Sequence, residues 1–171
     1  MPMLKKLLVI CVLSLAGALP SMAAPEVDLP LTDVAGEPSR LSSQFNGEDW
    51  LLVMVWSTDC SICRAEAPQI QALSERRDET GVRVIGLALD GPQQLQAIRD
   101  YEQELGIGFD NFTAEPTAIF SAYASATEST FRGTPTFLLY TPEGELVGNN
   151  PGPLSPGSVE RFIEKFNKSR A

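Results

Sequence analysis

A buried-strand pattern in this chain leads almost directly into a pair of cysteines, and together they limit the folds that the chain can adopt. Residues Trp50–Trp56 form an apolar run of seven residues, rich in β-branched and aromatic side chains. Such a run is typical of a strand that is buried on both faces, as in a parallel sheet. After three further residues comes the motif Cys60-Ser61-Ile62-Cys63.

A helix is predicted to begin at this cysteine pair and to continue to about Arg77, with a kink at Pro68. Its apolar face is predicted to consist of Ile62, Ala65, Ile70 and Leu73. At the start of a helix, unpaired backbone N–H groups and the helix dipole stabilise a thiolate. A second thiol three residues further on lies within bonding reach, which is the arrangement that thiol–disulfide exchange requires.

Other uses of the cysteine pair stay open from the residues alone. A structural disulfide that closes so short a loop would restrict the unfolded chain very little, and a structural zinc site would need two further Cys or His ligands. A peroxide-reducing cysteine needs an upstream Pro and an upstream Thr or Ser. Ser57 stands at the second of these positions, but Val53 occupies the place of the Pro.

Residues 1–23 have the layout of a secretory signal peptide. Lys5 and Lys6 precede an apolar run of 13 residues, and Ser21-Met22-Ala23 supplies the small residues of a cleavage site. The run is shorter than the roughly 20 residues that a membrane-spanning helix needs. The pattern therefore predicts an exported, periplasmic protein without a permanent membrane span, with an uncleaved anchor as the alternative.

Cleavage after Ala23 removes 23 of the 171 residues and leaves 148, so that residues 24–171 suit a single domain. The cleavage also removes Cys11, which leaves Cys60 and Cys63 as the cysteines of the mature chain. In an exported protein those two cysteines reach a compartment where disulfides persist.

The composition excludes several kinds of chemistry. The chain has 13 Lys plus Arg, 22 Asp plus Glu and no His. Its net charge of −9 becomes −11 without the two lysines of the signal peptide, which argues against nucleic-acid binding. Without His there is no Ser–His or Cys–His catalytic pair and no His-ligated zinc or haem. Catalysis must then use Cys, Lys or carboxylates.

The remaining patterns predict alternating strands and helices, and hence an α/β domain with a mixed sheet. Strands are predicted at residues 27–31, 82–89, 109–112, 136–140 and 145–147. Helices are predicted at residues 95–105, 116–123 and 156–166, the last with Val159, Phe162, Ile163 and Phe166 on its apolar face. Loops are predicted at residues 124–129 and 149–153.

Two motifs together resemble a known family. The stretch from Trp56 to Pro68 follows W-x-x-x-C-x-x-C-x-x-E-x-P and is similar to the signature of extracytoplasmic thioredoxin-like proteins, most of all the TlpA/ResA-type thiol–disulfide oxidoreductases. Residues Gly133-Thr134-Pro135-Thr136 resemble that superfamily's cis-proline loop. The resemblance covers most of residues 26–168. It implies a thioredoxin-like α/β fold with a mixed central sheet, helices on both faces and an N-terminal β-hairpin extension.

The resemblance also implies roles for the residues that match the signature. Cys60 matches the nucleophile and Cys63 the resolving thiol, and together they match the redox-active disulfide. Glu66 matches an acid that manages the proton of a buried thiol, although a solvated helix carboxylate is the simpler alternative.

The substrate-binding residues implied by the resemblance come from both motifs. Pro135 is expected to follow a cis peptide bond, and its loop, with Thr134, is expected to offer backbone groups to an extended substrate segment. Trp56 is expected to pack near the site, and a plain core aromatic would show the same pattern.

Asp59 departs from the family pattern, which commonly has an aromatic residue just before the first cysteine. A neighbouring carboxylate disfavours a thiolate and is expected to raise the pKa of Cys60, against the helix dipole. As an alternative, Asp59 caps the helix and points away from the thiol.

The predicted function is that of an exported thiol–disulfide oxidoreductase, with reduction of partner disulfides preferred over oxidation. The resemblance implies disulfide-containing protein substrates, a membrane thiol-transfer protein as electron donor and, as one substrate class, the haem-site disulfides of apocytochrome c. No cofactor or metal is expected. The alternatives are a disulfide-donating oxidase, a protein that binds Cu(I) through two thiolates, and a non-catalytic partner-binding module of the same fold.

Overall fold

The computed structural model describes residues 28–170. The predicted signal peptide and the first residue of the predicted N-terminal strand, Val27, lie outside the described residues. Helices and strands are labelled below in chain order.

Seven strands form one sheet, and they are β1 Pro30–Asp33, β2 Pro38–Arg40, β3 Trp50–Trp56, β4 Val82–Ala88, β5 Asp110–Thr113, β6 Thr136–Tyr140 and β7 Leu146–Pro151. The order across the sheet is β2-β1-β5-β4-β3-β6-β7. Strands β3, β4 and β5 are parallel neighbours, whereas the other pairings are antiparallel. The predicted mixed sheet with an N-terminal hairpin is therefore confirmed.

Five helices connect or follow these strands, and they are α1 Ser61–Glu75, α2 Arg77–Thr80, α3 Leu95–Leu105, α4 Pro116–Thr127 and α5 Pro156–Arg170. Strand β3 is completely buried, and its side chains alternate between two cores. The even-numbered side chains from 50 to 56 pack with α1, α3 and α5. The odd-numbered side chains pack with α4 and the N-terminal hairpin. Helices thus cover both faces, as predicted.

Helix α1 is rotated relative to the prediction. Its buried residues are Cys63, Ala67, Ile70 and Leu73, whereas Ala65 is exposed and Ile62 is 48% exposed. The predicted face shared Ile70 and Leu73 but began one residue too early, because it started from the apolar Ile62 rather than from Cys63. The helix continues through Pro68 and ends at Glu75.

Two loops were also predicted wrongly. Helix α4 continues to Thr127 instead of ending at Tyr123, since its extra turn is rich in alanine, which favours helix. Strand β7 continues to Pro151, with Thr136 opposite Pro151, through residues predicted as loop. Backbone pairing at a sheet edge needs no apolar side chain, so Asn149 and Asn150 gave no strand signal.

The last helix begins at the predicted residue, Pro156, but its apolar face is narrower than predicted. Val159 and Ile163 are buried, whereas Phe162 is 39% exposed. Phe166 packs edge-on against Trp50, with 5.3 Å between the ring centroids. This contact ties α5 to the start of β3.

Candidate active site

Cys60 and Cys63 form a disulfide at the point where β3 gives way to α1, with Cα atoms 5.2 Å apart. Cys60 is the N-cap of α1, and its Sγ accepts a hydrogen bond of 3.0 Å from the Cys63 backbone N–H. Cys63 has no exposed surface, whereas Cys60 is half-buried. The sulfur that solvent and partners can reach is thus the one that the helix N-terminus would stabilise as a thiolate.

The loop between β3 and α1 is held in place by Asp90, which follows the parallel strand β4. The Thr58 backbone N–H lies 3.2 Å from both Asp90 carboxylate oxygens, and the Thr58 hydroxyl also donates to Asp90. The Cys60 backbone N–H donates to the Ser57 carbonyl at 3.1 Å. Because β3 and β4 end at the same edge of the sheet, the two loops meet there and position Cys60.

Asp59 is exposed and accepts a hydrogen bond of 2.6 Å from the Ser57 hydroxyl. The N-cap of α1 is Cys60, so the alternative in which Asp59 caps the helix was wrong. Its carboxylate stays beside Cys60 in sequence, and its expected effect on the pKa of Cys60 stays a prediction.

The loop before β6 is brought next to the cysteine loop. The Thr134–Pro135 peptide bond is cis, as predicted, and Pro135 is buried. The Ser57 and Thr134 hydroxyl oxygens lie 3.5 Å apart, which joins the two loops. The Pro135 carbonyl accepts from the Gly152 backbone N–H at 2.8 Å. Within residues 28–170, the Thr134 backbone N–H and C=O have no hydrogen-bond partner.

Glu66 lies one helical turn after Cys63 and is half-buried, so it is not a freely solvated carboxylate. Its Oε1 accepts a hydrogen bond of 2.8 Å from the Leu154 backbone N–H, while its Oε2 is buried with no hydrogen-bond partner among the described residues. Burial raises the pKa of the Glu66 carboxyl, against the opposing effect of the Leu154 hydrogen bond. The group is thus suited to hold a proton near the buried cysteine.

Trp56 is the last residue of β3 and packs in the core that underlies the active site. It is 2% exposed, stacks on Tyr101 with ring centroids 4.4 Å apart, and donates from Nε1 to Asn111 Oδ1 at 3.0 Å. A side chain this buried contributes through packing, and its predicted contact with substrate stays a prediction.

The buried side chain of Asn111, which accepts the Trp56 hydrogen bond, was not predicted from the sequence. The Asn111 side chain is buried and also donates to the Phe109 carbonyl at 3.1 Å. A Cβ at Gly86 would lie only 1.7 Å from Asn111 Oδ1 and 2.7 Å from Trp56 Nε1. The one available signal was Gly86 inside a mostly apolar strand, because a glycine within a strand often marks a site where another group approaches the backbone closely.

Within residues 28–170 no cluster of three or more His, Cys, Asp or Glu side chains could hold a metal ion. The helices in that range also include none with the length and apolar character to cross a bilayer.

Comparisons with known proteins agree with this arrangement. A protein-family model described as the AhpC/TSA family matches residues 20–148. The thiol-disulfide oxidoreductase ResA of Halalkalibacterium halodurans is 25% identical over 138 residues, which cover 81% of this chain and 73% of the relative.

Solved structures show the same fold. A thioredoxin-family thiol:disulfide interchange protein of Chlorobium tepidum has a TM-score of 0.66 and 23% identity, covering 81% of this chain and 92% of that one. StoA of Bacillus subtilis has a TM-score of 0.63 and 18% identity, covering 82% and 99%. The predicted thioredoxin-like fold is thereby confirmed. In this chain the fold carries a disulfide at the start of α1 and a cis-proline loop before β6.

Proposed function

Because this chain belongs to the AhpC/TSA family and is a thiol–disulfide oxidoreductase of the ResA type, we propose that it reduces disulfides of exported partner proteins. The observation that carries the proposal is the asymmetry of the pair: Cys60 is half-buried at the helix N-terminus and Cys63 is fully buried one turn below. The Cys60 sulfur can then attack the disulfide of a partner, and the Cys63 sulfur can react with the mixed disulfide that forms.

The reaction transfers two electrons from the reduced protein to the substrate. The Cys60 thiolate attacks one sulfur of the substrate disulfide, an S–S bond forms between Cys60 and the substrate, and the second substrate sulfur leaves as a thiolate. Deprotonated Cys63 then attacks Cys60 Sγ, which forms the Cys60–Cys63 disulfide and releases the remaining substrate thiolate.

Glu66 takes the proton of Cys63 in this scheme. Cys63 is buried in apolar surroundings, which disfavour its thiolate, so its attack needs a nearby base. The unpartnered Oε2 of Glu66 is available for that proton. The raised pKa of this carboxyl makes the protonated form accessible, and the proton can pass to the departing substrate thiolate.

The cis-proline loop binds the substrate segment. The Thr134 backbone has a free donor and a free acceptor, and the Thr134 hydroxyl lies next to Ser57 in the loop that leads to Cys60. This arrangement suits an extended peptide that pairs as an added strand. Pro135 is buried and joined through its carbonyl to Gly152, so that the loop is held for this contact.

Export and the electron donor belong to the same proposal. The supporting feature is the signal-peptide pattern at residues 1–23, and a single domain at residues 24–171 is part of the proposal. A reductase outside the cytoplasm must be re-reduced by another dithiol, and a membrane thiol-transfer protein is the proposed donor. Apocytochrome c haem-site disulfides are one proposed substrate class.

The test is the reduction potential of the Cys60–Cys63 couple, measured by glutathione titration, together with turnover of a protein disulfide. We expect a value nearer the roughly −270 mV of thioredoxin than the roughly −120 mV of strong dithiol oxidants. A value at the oxidising end, with transfer of the disulfide to a reduced partner, would instead establish an oxidase. Peroxide consumption without disulfide turnover would contradict both directions.

A further inference from the structure

A groove leads away from the cis-proline loop, and we name it the Arg132 groove. It consists of two adjoining depressions of about 440 and 290 Å³ that share Arg132 and Pro151. The first includes Thr134 and Pro135, and the second continues past Asn149. A segment bound at Thr134 would therefore extend over Arg132.

Arg132 differs from every other arginine in residues 28–170. The other eight each donate to a carboxylate, carbonyl, amide or hydroxyl oxygen, and they are Arg40, Arg64, Arg76, Arg77, Arg83, Arg99, Arg161 and Arg170. Arg132 is exposed and has no such acceptor within the described residues. A guanidinium has five N–H donors in a planar fork that matches a carboxylate.

Because acidic residues are in excess, an arginine without an acceptor is unexpected in this chain. The chain has 22 Asp plus Glu for 13 Lys plus Arg, and within residues 28–170 every arginine other than Arg132 has an acceptor in the chain itself. An unpaired guanidinium close to a free backbone donor and acceptor can bind a carboxylate that a substrate provides.

We propose that Arg132 selects substrates whose disulfide cysteine is flanked by an acidic side chain, an inference that rests on the reductase function proposed above. Arg132 lies two residues before Thr134, and both residues line the first depression of the groove. A carboxylate within two or three residues of the substrate cysteine can then reach the guanidinium while the peptide backbone pairs with Thr134.

Asp59 limits where such an acid can be placed. Its carboxylate is held by Ser57, whose hydroxyl lies 3.5 Å from that of Thr134. A substrate acid on the Asp59 side of the cysteine meets a like charge, so the preference for acid applies only on the side that reaches Arg132.

The test compares rates of reduction for disulfide peptides that differ at one position near the cysteine, as Glu, Gln or Lys, placed in turn before and after it. The fully reduced full-length protein is used at low salt, with neutral hydroxyethyl disulfide as a reference substrate. We expect the wild-type protein to reduce the Glu peptide roughly two- to fivefold faster than the Gln peptide, on one side of the cysteine only.

Three variants locate the effect. Arg132→Gln should remove the preference and leave the hydroxyethyl disulfide rate unchanged, whereas Arg132→Lys should keep part of it. Arg40→Gln is the matched control, because it removes one positive charge at β2, the opposite edge of the sheet from β7, and should keep the whole preference. Added salt should reduce the preference in the wild-type protein.

A wild-type protein with equal rates for the three peptides, or an Arg132→Gln variant that keeps the preference, would overturn the proposal for Arg132 alone. A protein that reduces neither the peptides nor hydroxyethyl disulfide would overturn the reductase function itself. The two failures are therefore distinguished in one set of measurements.

Discussion

The Glu66 carboxylate is bound on one side only: Oε1 accepts the Leu154 backbone N–H at 2.8 Å, whereas Oε2 is buried with no partner among the described residues. A half-satisfied buried carboxylate is costly as an anion and is relieved by a proton. Burial therefore raises the pKa of this helix glutamate, one turn from the buried cysteine, although the Leu154 hydrogen bond opposes the rise.

Glu66→Gln should slow the resolution of a mixed disulfide on Cys60 by at least about tenfold, because the buried Cys63 loses its base. The measurement is the rate of substrate release from a preformed mixed disulfide as a function of pH. Glu75→Gln, an exposed acid on the same helix, is the control and should behave as the wild type. An equal slowing in both variants would contradict a role in proton transfer.

The same carboxyl should make folding stability depend on pH. Because its pKa is raised in the folded state, the folded chain holds this proton more tightly than the unfolded chain. The contribution of Glu66 to stability is then full below the unfolded pKa and is lost as pH rises through the folded pKa.

Urea unfolding of the oxidised protein at several pH values measures this term. Compared with the wild type, Glu66→Gln should lose less stability as the pH rises above about 4.3, the ordinary glutamate value. Parallel curves for the two proteins would count against a raised pKa at Glu66.

Asp59→Asn should lower the pKa of Cys60 in the reduced protein, since it removes an exposed negative charge next to the thiolate. The measurement is the rate of alkylation of Cys60 as a function of pH. Asp78→Asn, an exposed acid in α2, should leave the profile in place. A profile for Asp59→Asn that stays in place or moves upward rules out the expected effect.

Gly86→Ala should destabilise the fold by about 1–3 kcal/mol, because its Cβ would overlap Asn111 Oδ1 and press on Trp56 Nε1. Chemical denaturation of the oxidised protein measures the loss. The double variant Gly86→Ala/Asn111→Ala should lose less than the sum of the two single variants, since the second change removes the closest atom. Strict additivity would show that the contact is unimportant.

Cys63→Ala should accumulate mixed disulfides on Cys60, because the resolving thiol is absent. Partners captured in the exported compartment can be released by a reductant and identified. Cys60→Ala is the matched control and should capture almost none, since the remaining sulfur at position 63 is buried. Equal capture by the two variants would mean that the cysteines have not been assigned correctly.

Local sequence was enough to predict the junction of β3 with α1, because it depends on a buried strand followed at once by two cysteines. The cis bond before Pro135 and the N-terminal hairpin extension were implied by the family resemblance. The rotation of α1 could not be predicted in the same way. Ile62 is apolar and fits a helix face, but packing against the sheet buries Cys63 instead.

The chemistry of this protein could be predicted from its residues, because two cysteines at a helix start and the lack of His leave few other reactions. The groups that surround the two cysteines are brought together only by the fold. Glu66 is bound by a backbone group 88 residues away, and Trp56 by a side chain 55 residues away. Such partners depend on strand order and helix rotation across the whole fold, which no local periodicity contains.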